Sequence, residues 1–153
     1  MQLSTVEVSA VSSAELTGCP WHDIKKMLRQ AGLRPTRQRL ALSWILFGQG
    51  KRHLTAKTLY EEAKRAKVPV SLATIYNTLH QLTKACLLLQ VTVDCSKTYF
   101  DTNVRTHNHF LVEGEDTIFD IPGGEFNLDK MPIPPAGYEI ARVDVTVRLH
   151  RKI

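Results

Sequence analysis

Residues 105–113 read RTHNHFLVE, and His107 and His109 are the side chains here best suited to hold a metal ion or a haem iron. In a strand alternate side chains share a face, so the two imidazoles are expected to project together from positions about 7 Å apart. Neutral imidazoles so placed can share one ion or offer an axial nitrogen to haem. An isolated H-x-H also suits two polar groups on a solvated strand, and the surroundings must decide. A second candidate is GCPWHD at residues 18–23. Cysteine thiolate is a strong ligand for ferric haem, and Pro20 restrains the backbone beside Cys19 and removes a competing N–H. His22 follows three positions on, although a turn leading into a helix explains the same residues.

The letters HNH invite a nuclease reading. A contiguous triplet on one strand, however, cannot place a general base and metal ligands around a phosphate. With no phosphate-binding glycine loop and no G-x-S-x-G turn, an enzyme is not expected.

The elements that must position these residues fall into two halves. Apolar residues Ile24, Met27, Leu28 and Ala31 predict a short helix ended by Gly32. A second helix is expected after RPT, with Leu40, Ala41, Trp44, Ile45 and Phe47 as its buried stripe. Thr55 can cap a third through Leu59, Ala63 and Ala66, and Ser71 a fourth with Leu72, Ile75, Leu79 and Leu82 on its core face. LLLQVTV and KTYFD then read as a hairpin joined by DCS. Helices followed by a hairpin in a basic segment suggest a winged helix-turn-helix. Beyond DTNVRT the pattern turns to strands: HFLVE, TIFDI and the alternating YEIARVDVTVRLH, with MPIPPAG before the last. Some fifty residues with so little helix bury too small a fraction of their surface to be secure alone, so completion by a second copy is expected.

The fold class expected is α+β, an N-terminal winged helix-turn-helix DNA-binding domain followed by a small α/β dimerisation domain. Residues 1–19 form a flexible tail that reads as no secretion signal, 20–101 the DNA-binding domain, and 102–153 the dimerisation and sensing domain.

Charge divides the same way. Residues 1–90 hold 13 Lys/Arg against 5 Asp/Glu, while residues 91–153 hold 7 against 10. The first half therefore suits a polyanion and the second suits cations or a protein partner. With its core face inward, the fourth helix turns out Ala73, Thr74, Asn77, Gln81 and Lys84, side chains able to approach base edges and phosphates. Ser71 and the N–H groups beside it can hold a phosphate, and Arg34, Arg37 and Arg39 can grip the sugar-phosphate backbone. Cys19, Cys86 and Cys95 are too few and too scattered for a disulfide framework or a paired-cysteine zinc site; a reducing cytoplasm fits them best, with Cys86 and Cys95 as structural residues. No apolar run approaches membrane-spanning length, so no membrane partner is expected.

GLRPTRQRLALSWIL, RHLTAKTLYEEA and VPVSLATIYNTLHQLTKACLL, with the hairpin and the HNH strand, resemble the ferric uptake regulator superfamily over nearly everything after residue 20. Through GCPWHD, FDTNV and YEIARVDVTVRL the chain most resembles the iron response regulator branch of alpha-proteobacteria. The resemblance implies a homodimeric transcription factor whose fourth helix enters the major groove, with Tyr76 near a thymine methyl. It implies a regulatory metal site at His53, Asp101, His107, His109 and Asp120, of a type that suits Fe(II), Mn(II) or Zn(II). It also makes GCPWHD a haem regulatory element, with Cys19, His22, His107 and His109 as haem ligands, and it implies control of haem-synthesis and iron-handling genes. Two departures stand out. FLVEGED replaces the paired-cysteine zinc site that many members carry after the histidines, so no structural zinc-cysteine site is expected. Asn77 stands where many have arginine, which implies a different operator.

Overall fold

The computed structural model describes residues 20–93, 97–115, 117–123 and 131–153. The chain forms two compact units, the first ending at Arg105 and the second beginning at Thr106.

The first unit is built on four helices, α1 (Pro20–Gln30), α2 (Arg37–Phe47), α3 (Ala56–Arg65) and α4 (Leu72–Lys84). Local chemistry explains their limits. At the end of α1, Gly32 takes φ +75°, and the N–H of Leu33 reaches back to the Leu28 carbonyl at 2.8 Å. That is the left-handed cap for which glycine carries no Cβ penalty. Thr36, Thr55 and Ser71 each sit in extended backbone and accept an N–H from three residues on, capping α2, α3 and α4. Lys67 and Cys86 end α3 and α4 at φ 56° and 59° without being glycine. Cys86 thus serves the turn through its backbone, and its thiol is exposed.

Ile24, Leu28, Leu59, Ile75, Leu79 and Leu82 are fully enclosed in a core that also takes in Phe100. The buried face of α2 differs from the expected stripe. Leu40, Leu42, Ser43, Ile45 and Leu46 are buried, whereas Trp44 is 40% exposed. The helix is apolar on nearly every side and packs against α1, α3 and α4, so periodicity alone could not select its face. Leu72 is also exposed rather than buried, because it stands at the first residue of α4, ahead of the turn that meets the core.

A three-stranded sheet completes this unit in the order β1-β3-β2, from β1 (His53–Leu54), β2 (Leu89–Thr92) and β3 (Thr98–Asp101). β2 and β3 are the expected hairpin, antiparallel with Val91 opposite Tyr99.

The second unit contains β4 (His109–Val112), β5 (Thr117–Asp120) and β6 (Thr146–Leu149), ordered β5-β4-β6. β5 runs antiparallel and β6 parallel to β4, and a parallel neighbour requires a long crossover such as the MPIPPAG segment helps supply. Two expectations change here. The last strand covers only 146–149, because residues 138–145 alternate in sequence without entering a ladder among the described residues. And the described residues of this unit contain strands but no helix, so their α/β character is not seen.

Candidate metal centre and nucleic-acid interface

Within the first unit, His53 faces Asp101 across the β1–β3 ladder, a pairing that brings opposite side chains together on one face. His53 Nε2 lies 3.0 Å from Asp101 Oδ2. Asp101 is wholly buried, and its other oxygen accepts the Asn103 N–H at 2.7 Å. A buried carboxylate is tolerable only with such partners. Arg52, one residue before His53, ties the strand to its surroundings. Its guanidinium meets Glu62 of α3 at 2.6 Å, and its backbone exchanges hydrogen bonds with Thr102.

Within the second unit, His109 opens β4 and stands opposite Asp120, the last residue of β5. His107 precedes the strand instead of lying on it, so the expected alternation does not place it. The two rings nevertheless sit 4.4 Å apart, edge to face. Their Nε2 atoms lie 3.2 Å (His107) and 3.8 Å (His109) from one oxygen of Asp120. Asn108 holds this turn, a role that sequence reasoning missed. Its carbonyl accepts the Ile121 N–H at 2.9 Å, and its side-chain oxygen accepts the Val145 N–H at 3.1 Å. The one available signal was an amide between two candidate ligands.

The donor set can be tested against an ion. His107, His109 and Asp120 each offer a ligand atom, all within 4.8 Å of one another. Donors sharing one ion at bonds of about 2.1 Å lie roughly 3 to 3.5 Å apart, so small side-chain rotations would satisfy a divalent metal. Two imidazoles and a carboxylate suit Fe(II), Mn(II) or Zn(II). His53 and Asp101 form a matching nitrogen–oxygen pair in the first unit.

On α4, Ala73, Tyr76, Asn77, Gln81 and Lys84 are exposed and Thr74 half-buried. Tyr76 is 46% exposed, with its ring centroid 6.4 Å from that of His80. Arg34 and Arg37 are exposed, while the Arg39 guanidinium is engaged by the Arg34 carbonyl and the Gln81 side chain. The expectation that Arg39 grips DNA therefore meets a competing set of internal bonds. Ser71 is occupied in capping, accepting the Thr74 N–H at 3.1 Å. Of the haem candidates, His22 is exposed on the first turn of α1, whereas Cys19 lies outside the described residues, as does Cys95.

A model of the ferric uptake regulator family matches residues 30–147. The chain belongs to that family. This member is 36% identical over 90 residues to the ferric uptake regulation protein of Campylobacter upsaliensis, covering 57% of each chain. It is 33% identical over 100 residues to the peroxide-responsive repressor PerR of Staphylococcus aureus, covering 65% of this chain and 67% of that one. It thus spans little more than half the length of the first of these relatives. Its fold resembles that of the ferric uptake regulator of Pseudomonas aeruginosa solved with manganese, with TM-score 0.64 and 21% identity over 84% of this chain and 98% of that one. The regulator of Francisella tularensis solved with iron gives TM-score 0.66 and 19% identity, over 79% and 93%. Among the described residues of this family member, no helix is long and apolar enough to cross a membrane.

Proposed function

We propose that this protein is a cytoplasmic, homodimeric, sequence-specific DNA-binding transcriptional regulator of iron homeostasis genes, a repressor governed by a divalent metal ion and not an enzyme. The observation that carries the reading is the convergence of His107, His109 and Asp120 in a member of this family. We take these three, with His53 and Asp101, as the residues that hold Fe(II), Mn(II) or Zn(II). A bound cation would supply the positive charge that favours a carboxylate and two imidazoles gathered as Asp120, His107 and His109 are. The chain's own part is to hold those donors ready, through the Asn108 turn and the Arg52 ties. On the DNA side, α4 offers Ala73, Thr74, Tyr76 and Asn77 to base edges. Ser71 and the N–H groups of the first turn, with Arg34 and Arg37, serve the phosphates. Metal occupancy alters DNA affinity to the extent that it favours one arrangement of the reading head over others.

The test is a binding titration on duplexes selected from a random pool, with chelator-treated protein and with added Mn(II). Sequence-selective binding that weakens steeply with salt and tightens about 5- to 150-fold with metal is expected. Affinity indifferent to sequence, or unmoved by metal in the native protein, would overturn the reading.

A second reading follows the iron response regulator branch, in which haem replaces or joins the metal and the targets include haem-synthesis genes. The Cys19–Pro20 pair favours it, with His22 and Trp21 exposed beside it. A Soret band that shifts in Cys19→Ala, and again in His107→Ala/His109→Ala, supports this branch. Spectra identical to the native protein in both variants remove it.

A further inference from the structure

Two side chains of the first turn of α2 reach the segment that carries α4. Gln38 donates from Nε2 to the Pro69 carbonyl at 3.0 Å, two residues ahead of the Ser71 cap. Arg39 donates from one terminal nitrogen to the Arg34 carbonyl and from the other to Oε1 of Gln81, in the third turn of α4. The remaining nitrogen, Nε, is shielded from solvent. A guanidinium is a planar fork whose donors point in fixed directions, so one engaged at both tips has a defined place.

α4 needs such ties. Its inner residues Ile75, Leu79 and Leu82 are fully buried, and close packing sets the face that α4 turns inward, leaving its finer roll to directional contacts. Directional bonds at the entry of α4 and at its third turn constrain both slide and roll. A small roll would carry Ala73 and Asn77 off any base edge they address.

We infer that Arg39, assisted by Gln38, is a positioning residue that sets the roll of α4 through Gln81, and that it is not one of the phosphate contacts. The inference rests on the reading of α4 as the base-contacting helix. A positively charged residue at the start of α2 would otherwise be assigned to the sugar-phosphate backbone, and the two roles leave different traces. A phosphate contact adds to the salt dependence of binding and carries no sequence information. A positioning bond does the opposite.

The experiment measures affinity of the full-length protein for a selected operator and a scrambled duplex of equal composition, at several salt concentrations. Arg39→Lys, Arg39→Ala, Gln81→Ala and the Arg39→Ala/Gln81→Ala double variant are compared, each with its melting temperature. Arg39→Lys keeps the charge but cannot span both acceptors. Each single variant is expected to lose about tenfold in operator preference, with the double variant no worse than Arg39→Ala and the salt slope unchanged. An Arg39→Ala protein that keeps its preference while its salt slope falls by about one, with Arg39→Lys close to native, would identify a phosphate contact and overturn the inference. Native preference unmoved in every variant overturns it equally. A native protein with no preference between the duplexes instead overturns the reading of α4 itself, and the two failures are told apart by that native measurement. Gln81 is exposed, so its alanine variant keeps the test open should Arg39→Ala fail to fold.

Discussion

The two units solve the problem of burial differently. Up to Arg105, four capped helices and a small sheet enclose a continuous apolar interior of fifteen buried residues among those described, and the fold can be secured by its own contacts. From Thr106 onward, Leu111 and Ile118 are the buried apolar residues among those described, while Phe119, Ile133, Tyr138 and Ile140 stand exposed. A chain segment of that size with so much apolar surface in water gains too little from burial to offset its ordering entropy. What distinguishes the units is therefore where their stability originates. The first unit carries its own, and the second gains too little from its own burial, as the proposed pairing with a second copy would require.

The strongest way to break this contrast is truncation in each core. Leu79→Ala removes a fully buried side chain of α4 and is expected to cost about 2–5 kcal/mol. Urea unfolding should show that loss independent of protein concentration. Leu111→Ala in the second unit should instead show a melting temperature that rises with protein concentration, as required when folding is linked to association. Concentration-independent melting of Leu111→Ala would mean that the second unit stands alone after all.

Metal removal separates the units next. His107→Ala/His109→Ala deletes two of the three clustered donors of the second unit and is expected to lower Mn(II) affinity about 100-fold or more. Calorimetric titration gives that figure directly. The far-ultraviolet helix signal, which arises from the first unit among the described residues, should be unchanged. A variant that binds Mn(II) with native affinity would show that these histidines are not ligands.

Smaller again is the effect of a charge on the exposed apolar surface. Ile133 is 94% exposed, so Ile133→Asp has little to disturb in an isolated chain. If a partner copy covers it, dimer association should weaken by about 1–2 kcal/mol in sedimentation equilibrium. Unchanged association would place the interface elsewhere.

The same contrast governs what could be read from the chain. Helix starts at Thr55 and Ser71 were legible because capping is a matter of three or four neighbouring residues. The buried face of α2 was not, since Leu42 and Leu46 are chosen by three neighbouring helices rather than by α2's own pattern. In the second unit His107 and His109 were visible as candidates. Yet their convergence comes from the β4–β5 register and the Asn108 turn, not from strand alternation, which only His109 obeys. Arg39 was legible as a charge but not as a tie, because Gln81 lies far along the chain and nothing in the spacing links them. The long alternation from Tyr138 to His150 predicted a strand over its whole length. Among the described residues only its last third pairs in a ladder, because ladder partners are set by the tertiary structure.

The smallest effect concerns the Glu115–Arg151 charge pair. Arg151 contacts both oxygens of Glu115, the second at 3.3 Å. This hydrogen bond, and secondarily the guanidinium charge, hold the Glu115 carboxyl below its ordinary value of 4.5, while the same bond raises Arg151. A carboxyl lowered on folding contributes stability that is fully present above its unfolded value and is lost as pH falls through the folded one. The contribution should therefore persist at neutral pH and fade only below about pH 4.5. Both groups are open to solvent, which screens the pair, so Arg151→Ala should barely move the melting temperature at pH 7 and should narrow its difference from native as the pH is lowered. Because the pair joins the turn after β4 to the residues beyond β6, a larger loss at neutral pH would show that the C-terminal segment depends on this contact. The second unit would then be held by its own polar ties to a greater degree than its sparse interior implies.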